Sequence, residues 1–341
     1  MVTMRDVARH AGVSIATVSH VINETRPVSD ELRDRVLDSM DHLGYQPNTI
    51  ARALRSKHSN TIGLIVPDGR NPFFAEVAQG IEEVSLEHEY SLILCDSGND
   101  LGKVLIHTKN LSAKRVDGII FTTSGDDFED INSLIEENIA VLVIDLDASP
   151  IAADAVLFDN FKGGRLAAQH LLELGHRRIA CITGPSRQSL RRDREKGYSS
   201  ALSDAGILED GSLVREGDFQ PSSGYNHALD LLSGPDPPSA IFACNDLMAM
   251  GALRAAREVG LEVPAQLSII GFDDIYLSAF TTPTLSTIRL PKREMGRLAG
   301  QILLRRIQDH TRAVEQTIVD LELIVRESTA PYNGGHRQTS K

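Results

Sequence analysis

The sequence lacks the short signatures of the common α/β enzymes. No Gly-x-Gly-x-x-Gly follows an apolar run, no loop ends in Gly-Lys-Ser or Gly-Lys-Thr, and there is no His-Glu-x-x-His. A nucleotide-dependent kinase or dehydrogenase and a zinc hydrolase lose their support, and no cofactor or metal is expected. Cysteine is scarce. Cys95, Cys181 and Cys244 have no paired spacing for zinc or redox chemistry, and an odd count suits a reducing compartment. They read as small buried hydrophobes on strands. There is no apolar export signal and no run long enough to span a membrane, which predicts a cytoplasmic protein with no membrane partner. A basic excess is missing too, and the net charge of −12 excludes indiscriminate coating of nucleic acid. Residues 1–58 carry eight Lys or Arg against seven Asp or Glu, so that end is +1 and the remainder −13. Such a split leaves room for a local DNA contact on an otherwise acidic body.

The 341 residues are 41% hydrophobic and 24% charged, an ordinary globular composition and a comfortable length for a small headpiece and two lobes. The headpiece begins at residues 3–23, TMRDVARHAGVSIATVSHVIN. Thr3 and Asp6 have the spacing of a capping box, Val7, Ala8 and Ala11 make a small apolar face, and Gly12 ends the first helix. Ser14 is placed to cap a second helix in which Val18, Val21 and Ile22 face inward. Its other face carries Ala16, Ser19, His20 and Asn23, small and polar enough to enter a DNA major groove. An ordinary helical hairpin is the alternative on these residues alone. Ser29 opens a third amphipathic segment, SDELRDRVLDSMDHLGY, with Leu32, Val36, Leu37, Met40 and Leu43 on one face. After Pro47 comes NTIARALRSK, basic at Arg52, Arg55 and Lys57, with an apolar edge of Ile50, Ala53 and Leu54.

From residue 61 apolar strand candidates alternate with amphipathic stretches, the mark of a parallel α/β sheet. They fall at 62–66, 92–95, 118–121, 141–144 and 155–158, and again at 179–183, 213–217, 240–243 and 268–272. Two such sets predict two doubly wound lobes, with a ligand where the strand carboxyl ends face a cleft.

The order DVARHAGVSIATVSHVIN, LGYQPNTIARAL, NTIGLIVP and NPFF resembles the lactose-repressor (LacI/GalR-type) family of bacterial transcription regulators, most closely its purine and ribose repressor branch. The likeness runs over residues 3–328. It implies an α/β chain with an all-α helix-turn-helix headpiece (1–46), a hinge helix and linker (47–60), and a two-lobed domain of the type I periplasmic-binding-protein kind. The first lobe would comprise 61–160 and 292–316, the helix at 292–308 returning to it. The second would comprise 161–291 and 317–330, with the last strand region, 317–326, and 331–341 would form a flexible tail.

The family pattern also implies roles. Ser14 aside, Ile15, Ala16 and His20 occupy the positions that read major-groove bases. Ile15 and Ala16 can do so only through apolar contact, and His20 could donate to a base acceptor. Thr17, Ser19, Asn23 and Arg26 match phosphate contacts. Ala53, Leu54 and Arg55 match the hinge, whose leucine wedges into the central step of a palindromic operator and so requires a homodimer. For a small-molecule effector the matching positions are Asn71, Phe73, Asp145, Arg194, Asn245, Phe272, Asp273 and Arg289. Carboxylates, amides and an arginine beside aromatic faces are the chemistry for gripping sugar hydroxyls. Asn245 and Asp273 follow strands and could cap helices instead, and Arg194 could be a surface ion pair.

Two departures from the ribose-binding pattern, Leu146 after Asp145 and Arg289 before the Leu-Pro dipeptide, point away from ribose. Arg187, Arg191, Arg192 and Arg194 crowd one loop, and an arginine such as Arg289 in a closed cleft is costly unless an anion meets it. The expectation is a sugar, sugar acid or sugar phosphate, leaning to an anionic one unless Asp145 and Asp273 neutralise the arginine internally. The competing reading is a sugar-binding or sensing protein without gene control.

Overall fold

The computed structural model describes residues 2–23, 26–45, 58–122, 129–145, 153–185, 189–208 and 210–334, the side chains of 129–131 and 189–191 excepted. The chain divides into two compact units, residues 1–60 and 61–341. Ala53, Leu54 and Arg55, most of the expected hinge, Leu146, Arg187 and residues 335–341 lie outside the described residues, as does the side chain of Arg191.

The first unit contains α1 (Met4–Ala11), α2 (Ile15–Asn23) and α3 (Asp30–Leu43). Thr3 donates from its backbone N and its Oγ1 to Asp6 Oδ2, at 3.0 and 2.6 Å. Gly12, with φ +63°, closes α1 in the left-handed conformation that glycine reaches at no steric cost. Ser14 Oγ accepts from the Thr17 backbone N at 3.0 Å and so caps α2. Val7, Ala8, Ala11, Val18, Val21 and Val36 form the core, with Ile22, Met40 and Leu43 packed at its edge. Leu37 departs from the expected face and is 48% exposed. Val36, Met40 and Leu43 already fill the inward stripe at helical spacing, and Leu37 lies one residue off it. Ser39 is buried instead, its hydroxyl bonded to Arg35 O (2.7 Å) and His10 Nδ1 (3.0 Å).

The second unit runs β1 (Thr61–Val66), α4 (Pro72–Glu87), β2 (Ser91–Asp96), α5 (Leu101–Ala113), β3 (Gly118–Phe121), α6 (Glu129–Glu136), β4 (Ala140–Ile144), β5 (Asp154–Phe158) and α7 (Asn160–Glu173). It continues through β6 (Ile179–Thr183), α8 (Ser189–Asp204), β7 (Val214–Glu216), α9 (Pro221–Ser233), β8 (Ala240–Ala243), α10 (Asp246–Glu258) and β9 (Ser268–Asp273). The chain then adds β10 (Ser286–Arg289), α11 (Lys292–Gln308), β11 (Gln316–Val319) and β12 (Glu322–Ile324). Two six-stranded sheets result, ordered β11-β5-β4-β3-β1-β2 and β12-β10-β9-β8-β6-β7. All pairs are parallel except β10 with β12. The strands of parallel sheets covered on both faces should be continuous apolar runs. Ala140–Ile144 and Ile179–Thr183 are buried at every position.

The helix α11 leaves the second sheet and docks on α4 of the first. The two backbones meet so closely that a Cβ on Gly80 would lie 2.1 Å from Arg293 O, and one on Gly296 2.1 Å from Val77 O.

The end of the chain corrects the expected division. Residues 317–330 are expected in the second lobe, but Gln316–Val319 pairs in parallel with β5 of the first sheet, while Glu322–Ile324 pairs with β10 and Ser328 bonds to Ile269 and Ser286 of the second. A buried ion pair explains it. Arg306 Nε and Nη2 donate to the two oxygens of Asp154, both at 2.9 Å, and Asp154 Oδ1 also accepts from Glu315 N at 2.7 Å. The connection after α11 is thus pinned where β5 begins, which delivers β11 to its open edge. β10, absent from the strand candidates, is only four residues long and lies inside the second sheet.

Candidate ligand cleft and nucleic-acid interface

The strands of both sheets end at one cleft. Asp68 follows β1, Asn99 follows β2, Asp145 follows β4, Phe219 and Gln220 follow β7, Asn245 follows β8, and Asp273 ends β9. The cleft encloses an empty volume of about 470 Å³, its open mouth included, near the lower end for small-molecule sites.

Six of the eight expected ligand residues line it: Asn71, Phe73, Asp145, Arg194, Asn245 and Asp273. Two of them also hold the backbone. Asn71 Oδ1 accepts from Phe73 N at 3.0 Å, capping α4, and Asn245 Oδ1 accepts from Met248 N at 2.8 Å, capping α10. Capping aims these amides into the cleft by fixing the helix starts. Asn245 Nδ2 also donates to Phe219 O at 3.0 Å, holding a residue whose φ is +66°. A non-glycine residue there is strained, and such strain collects at functional sites.

Arg194 organises the floor. Its side chain is 5% exposed and two of its three guanidinium nitrogens are engaged, Nε donating to Asn160 Oδ1 at 2.7 Å and Nη1 to Cys244 O at 2.5 Å, with Asp273 Oδ1 at 3.5 Å. Asn160 Nδ2 passes the contact on to Asp145 Oδ1 at 2.7 Å. Phe272 is therefore not a cleft face. It is fully buried, and the Arg194 guanidinium sits 3.8 Å over its ring. The ring supports the arginine through a desolvated cation–π contact rather than stacking on a ligand.

Arg289 is corrected as well. It is absent from the cleft lining, is 43% exposed, and pairs with Asp274 (2.7 Å) and Glu322 (3.1 Å). β10 ends at Arg289 beside β12, so the side chain meets the acid of the neighbouring strand, Glu322. No ligand anion is required to balance it.

Asp68, Asn99, Phe219 and Gln220 were missed. Asp68 had a signal, an acid directly after a strand run in the VPDGRNPFF segment; the others come from loops without regular spacing. Asp68 Oδ2 accepts from Gln220 Nε2 at 2.7 Å, a hydrogen bond between the lobes. Burial works against the Asp68 charge, but hydrogen bonds from Arg70 and Gln220 outweigh it and hold the carboxyl below its ordinary value. Behind the floor, Asp246 is completely buried and accepts from Thr287 Oγ1 (2.6 Å), Ser278 Oγ (2.7 Å) and Ile275 N (2.8 Å). Burial first, and then the charge of Asp273, push it up to about 7, against the pull of those three donors.

In the headpiece Ile15 is 45% exposed and Ala16 is exposed beside it, while Ser19 and His20 are half-buried. Ser14 and Thr17 hydroxyls bond each other at 2.8 Å, and Arg26 is exposed. Asn23 turns its amide back on the helix, Nδ2 donating to Ser19 O at 2.8 Å. Ile15 and Ala16 thus present the apolar surface of the first turn.

Comparison with known proteins covers both units. The family of bacterial regulatory proteins, lacI family, matches residues 3–48, and a periplasmic binding protein-like domain matches residues 168–329. The HTH-type transcriptional repressor PurR of Haemophilus influenzae (strain PittEE) is 41% identical over 332 residues, 96% of this chain and 98% of its own. The structure of the lac repressor dimer bound to operator and the anti-inducer ONPF has a TM-score of 0.86 at 30% identity, covering 96% of this chain and 99% of that one. The transcriptional regulator CelR–cellobiose complex has a TM-score of 0.73 at 32% identity, covering 96% of this chain and 100% of that one. Among the described residues no helix is long and apolar enough to cross a membrane. Because the likeness runs through the headpiece and both lobes, the chain belongs to the lacI family of bacterial regulatory proteins and is a ligand-responsive, DNA-binding transcriptional regulator.

Proposed function

We propose that the effector is a small neutral sugar, and that the protein represses carbohydrate-related genes as a homodimer on a palindromic operator. One observation carries the effector class: the charge balance of the cleft. Among the described lining residues there are three carboxylates, Asp68, Asp145 and Asp273, and one cation, Arg194, whose Nε and Nη1 are committed to Asn160, Cys244 and Asp273. A ligand carboxylate or phosphate would meet three carboxylates against one guanidinium that is already balanced in part by Asp273, a costly burial. Neutral hydroxyls suit these acceptors and amides, and Phe73 and Phe219 offer apolar faces for a ring. The cellobiose bound to CelR agrees with this class. For DNA, the exposed Ile15 and Ala16 with His20 are the base-reading set, Ser14, Thr17, Ser19, Asn23 and Arg26 the backbone-positioning set, and Ala53, Leu54 and Arg55 the hinge wedge, on the family pattern.

Calorimetric titration tests the effector class. D-ribose, D-glucose and cellobiose are compared with D-gluconate and glucose 6-phosphate. The expected result is binding of at least one neutral sugar and none of its anionic counterparts. Tight binding of gluconate or the phosphate, with no neutral sugar bound, would sink the proposal.

A further inference from the structure

Lys292 is a lysine that water does not reach. It is 4% exposed, and lysine is almost never so buried unless paired. It opens α11, at the point where the chain passes from the second sheet back to the first lobe. Its Nζ donates to two successive carbonyls of the second lobe, Asp273 O at 2.9 Å and Asp274 O at 2.6 Å. Those two residues form a bend with φ values of +105° and +52°, conformations that cost energy for any residue but glycine. The first of them carries the carboxylate that lines the cleft.

On the other side stands Glu76 of α4, the helix that begins at the cleft with Asn71 and Phe73. Its Oε2 lies 3.6 Å from Lys292 Nζ, and its Oε1 is buried with no hydrogen-bond partner. An ammonium has three donors, and two are used on the bend. The third donor and the Glu76 carboxylate are therefore an ion pair at 3.6 Å, beyond hydrogen-bond length, with Oε1 orphaned beside it. A relative shift of the lobes of roughly 0.7 Å brings this pair to the length of a charge-assisted hydrogen bond, and a shift the other way separates a buried charge from its counterion. The pair spans the two lobes, while the bend carries the Asp273 carboxylate of the cleft.

We propose that Lys292 is a positioning residue of the effector switch: paired through its charge with Glu76 of the first lobe, it fixes the Asp273–Asp274 bend of the second, so that effector capture and lobe angle change together. The proposal rests on the reading that the effector binds this cleft, and it concerns neither direct contact with the ligand nor contact with DNA.

Two measurements on the full-length protein test it, with Lys292→Met, Lys292→Arg and Glu76→Gln. In the first, hydrogen exchange is followed in the ligand-free protein. Glu76→Gln lies in the other lobe and does not touch the bend, yet exchange over residues 271–277 should rise at least about fivefold, as in Lys292→Met, while Lys292→Arg stays near the parent. Parental exchange there in Glu76→Gln overturns the proposal, since a lysine that only braced the bend would not report on Glu76. In the second, D-ribose, D-glucose and cellobiose are titrated with and without an operator duplex selected by the parent from random DNA. The parent should show a ratio of affinities of at least about fivefold, in the usual range of coupling between sites. Lys292→Met and Glu76→Gln should bring it below about twofold, and Lys292→Arg should keep it. A parental ratio in Lys292→Met, or a parent with no such ratio, overturns the proposal. If the parent binds none of the three sugars, the sugar reading of the cleft fails separately, and the exchange measurement still decides the role of Lys292.

Discussion

Replacing Arg194 by methionine removes the cation from the cleft floor while keeping a side chain of similar length. The variant leaves three groups behind without their donor: Asp273 Oδ1, Asn160 Oδ1 and the carbonyl of Cys244. Asp273, only 7% exposed at its side chain, loses the guanidinium 3.5 Å away, and breaking a buried pair by removing one member costs about 3–5 kcal/mol. The cation–π contact with Phe272 and the neutral hydrogen bonds are already contained in that figure, since contributions of neighbouring groups do not add. For a unit spanning residues 61–341 the loss lowers the melting midpoint by roughly 5–9 °C. The deficit should also depend on pH. Asp246 sits behind Asp273 and is pushed up to about 7 by its burial and by that neighbouring charge. A carboxyl whose folded pKa exceeds its unfolded value keeps its proton where the unfolded chain has lost it, so it disfavours the folded state increasingly as pH climbs from about 4 toward the folded pKa. Without Arg194 the charge of Asp273 acts on Asp246 uncompensated, and the stability gap between variant and parent should widen over that window. Urea unfolding at several pH values, repeated on Asp273→Asn and the double variant, measures both effects. In the double variant the neutral amide should recover at least about 1 kcal/mol of the loss. A single variant within about 1 kcal/mol of the parent, with no recovery in the double, would refute the account of Arg194 as a buried counterion.

Arg289→Gln should leave affinity for a neutral sugar within about twofold, because the side chain pairs with Asp274 and Glu322 and not with the cleft; a tenfold fall, about 1.4 kcal/mol, would return it to the site. Asp274 feels burial first, which raises its pKa, but hydrogen bonds from Arg289 and Arg326 prevail and hold it below its ordinary value. A depressed carboxyl contributes stability above its unfolded pKa and loses it as pH falls through the folded one. Asp274→Asn should therefore destabilise at pH 7 and converge on the parent in acid below about pH 4, and a gap that is constant with pH contradicts this. Ser14→Ala removes the cap on Thr17 N and should lower headpiece stability by about 1 kcal/mol, read from the thermal melt; no change would mean that the cap is dispensable. His20→Ala should relax preference at particular base pairs by about 1–3 kcal/mol in binding to a set of single-substituted operators, whereas uniform weakening on all sequences would make His20 a phosphate contact.

What the sequence by itself determined is what local physics controls. Caps at fixed spacing place the headpiece helices: Thr3 with Asp6, Ser14 before Ile15, Gly12 and Gly44 in left-handed conformations at the ends. Continuous apolar runs of four to six residues place the strands, and acids and amides just after those runs place Asp145, Asn245 and Asp273 at the cleft. These signals need only neighbours in the chain. Which arginine enters the cleft could not be read that way, because Arg194 and Arg289 differ in function through partners far away. One is closed in by Asn160, Cys244 and Phe272, and the other is drawn out by Asp274 and Glu322. The edge that receives Gln316–Val319 depended on the Arg306–Asp154 pair, which joins residues 152 apart in sequence. Lys292 reads as an ordinary charged residue at a helix start until the return of α11 to the first lobe buries it between Glu76 and the Asp273–Asp274 bend. Burial and long-range pairing decide the state of a charge, and both exist only once distant segments are packed together.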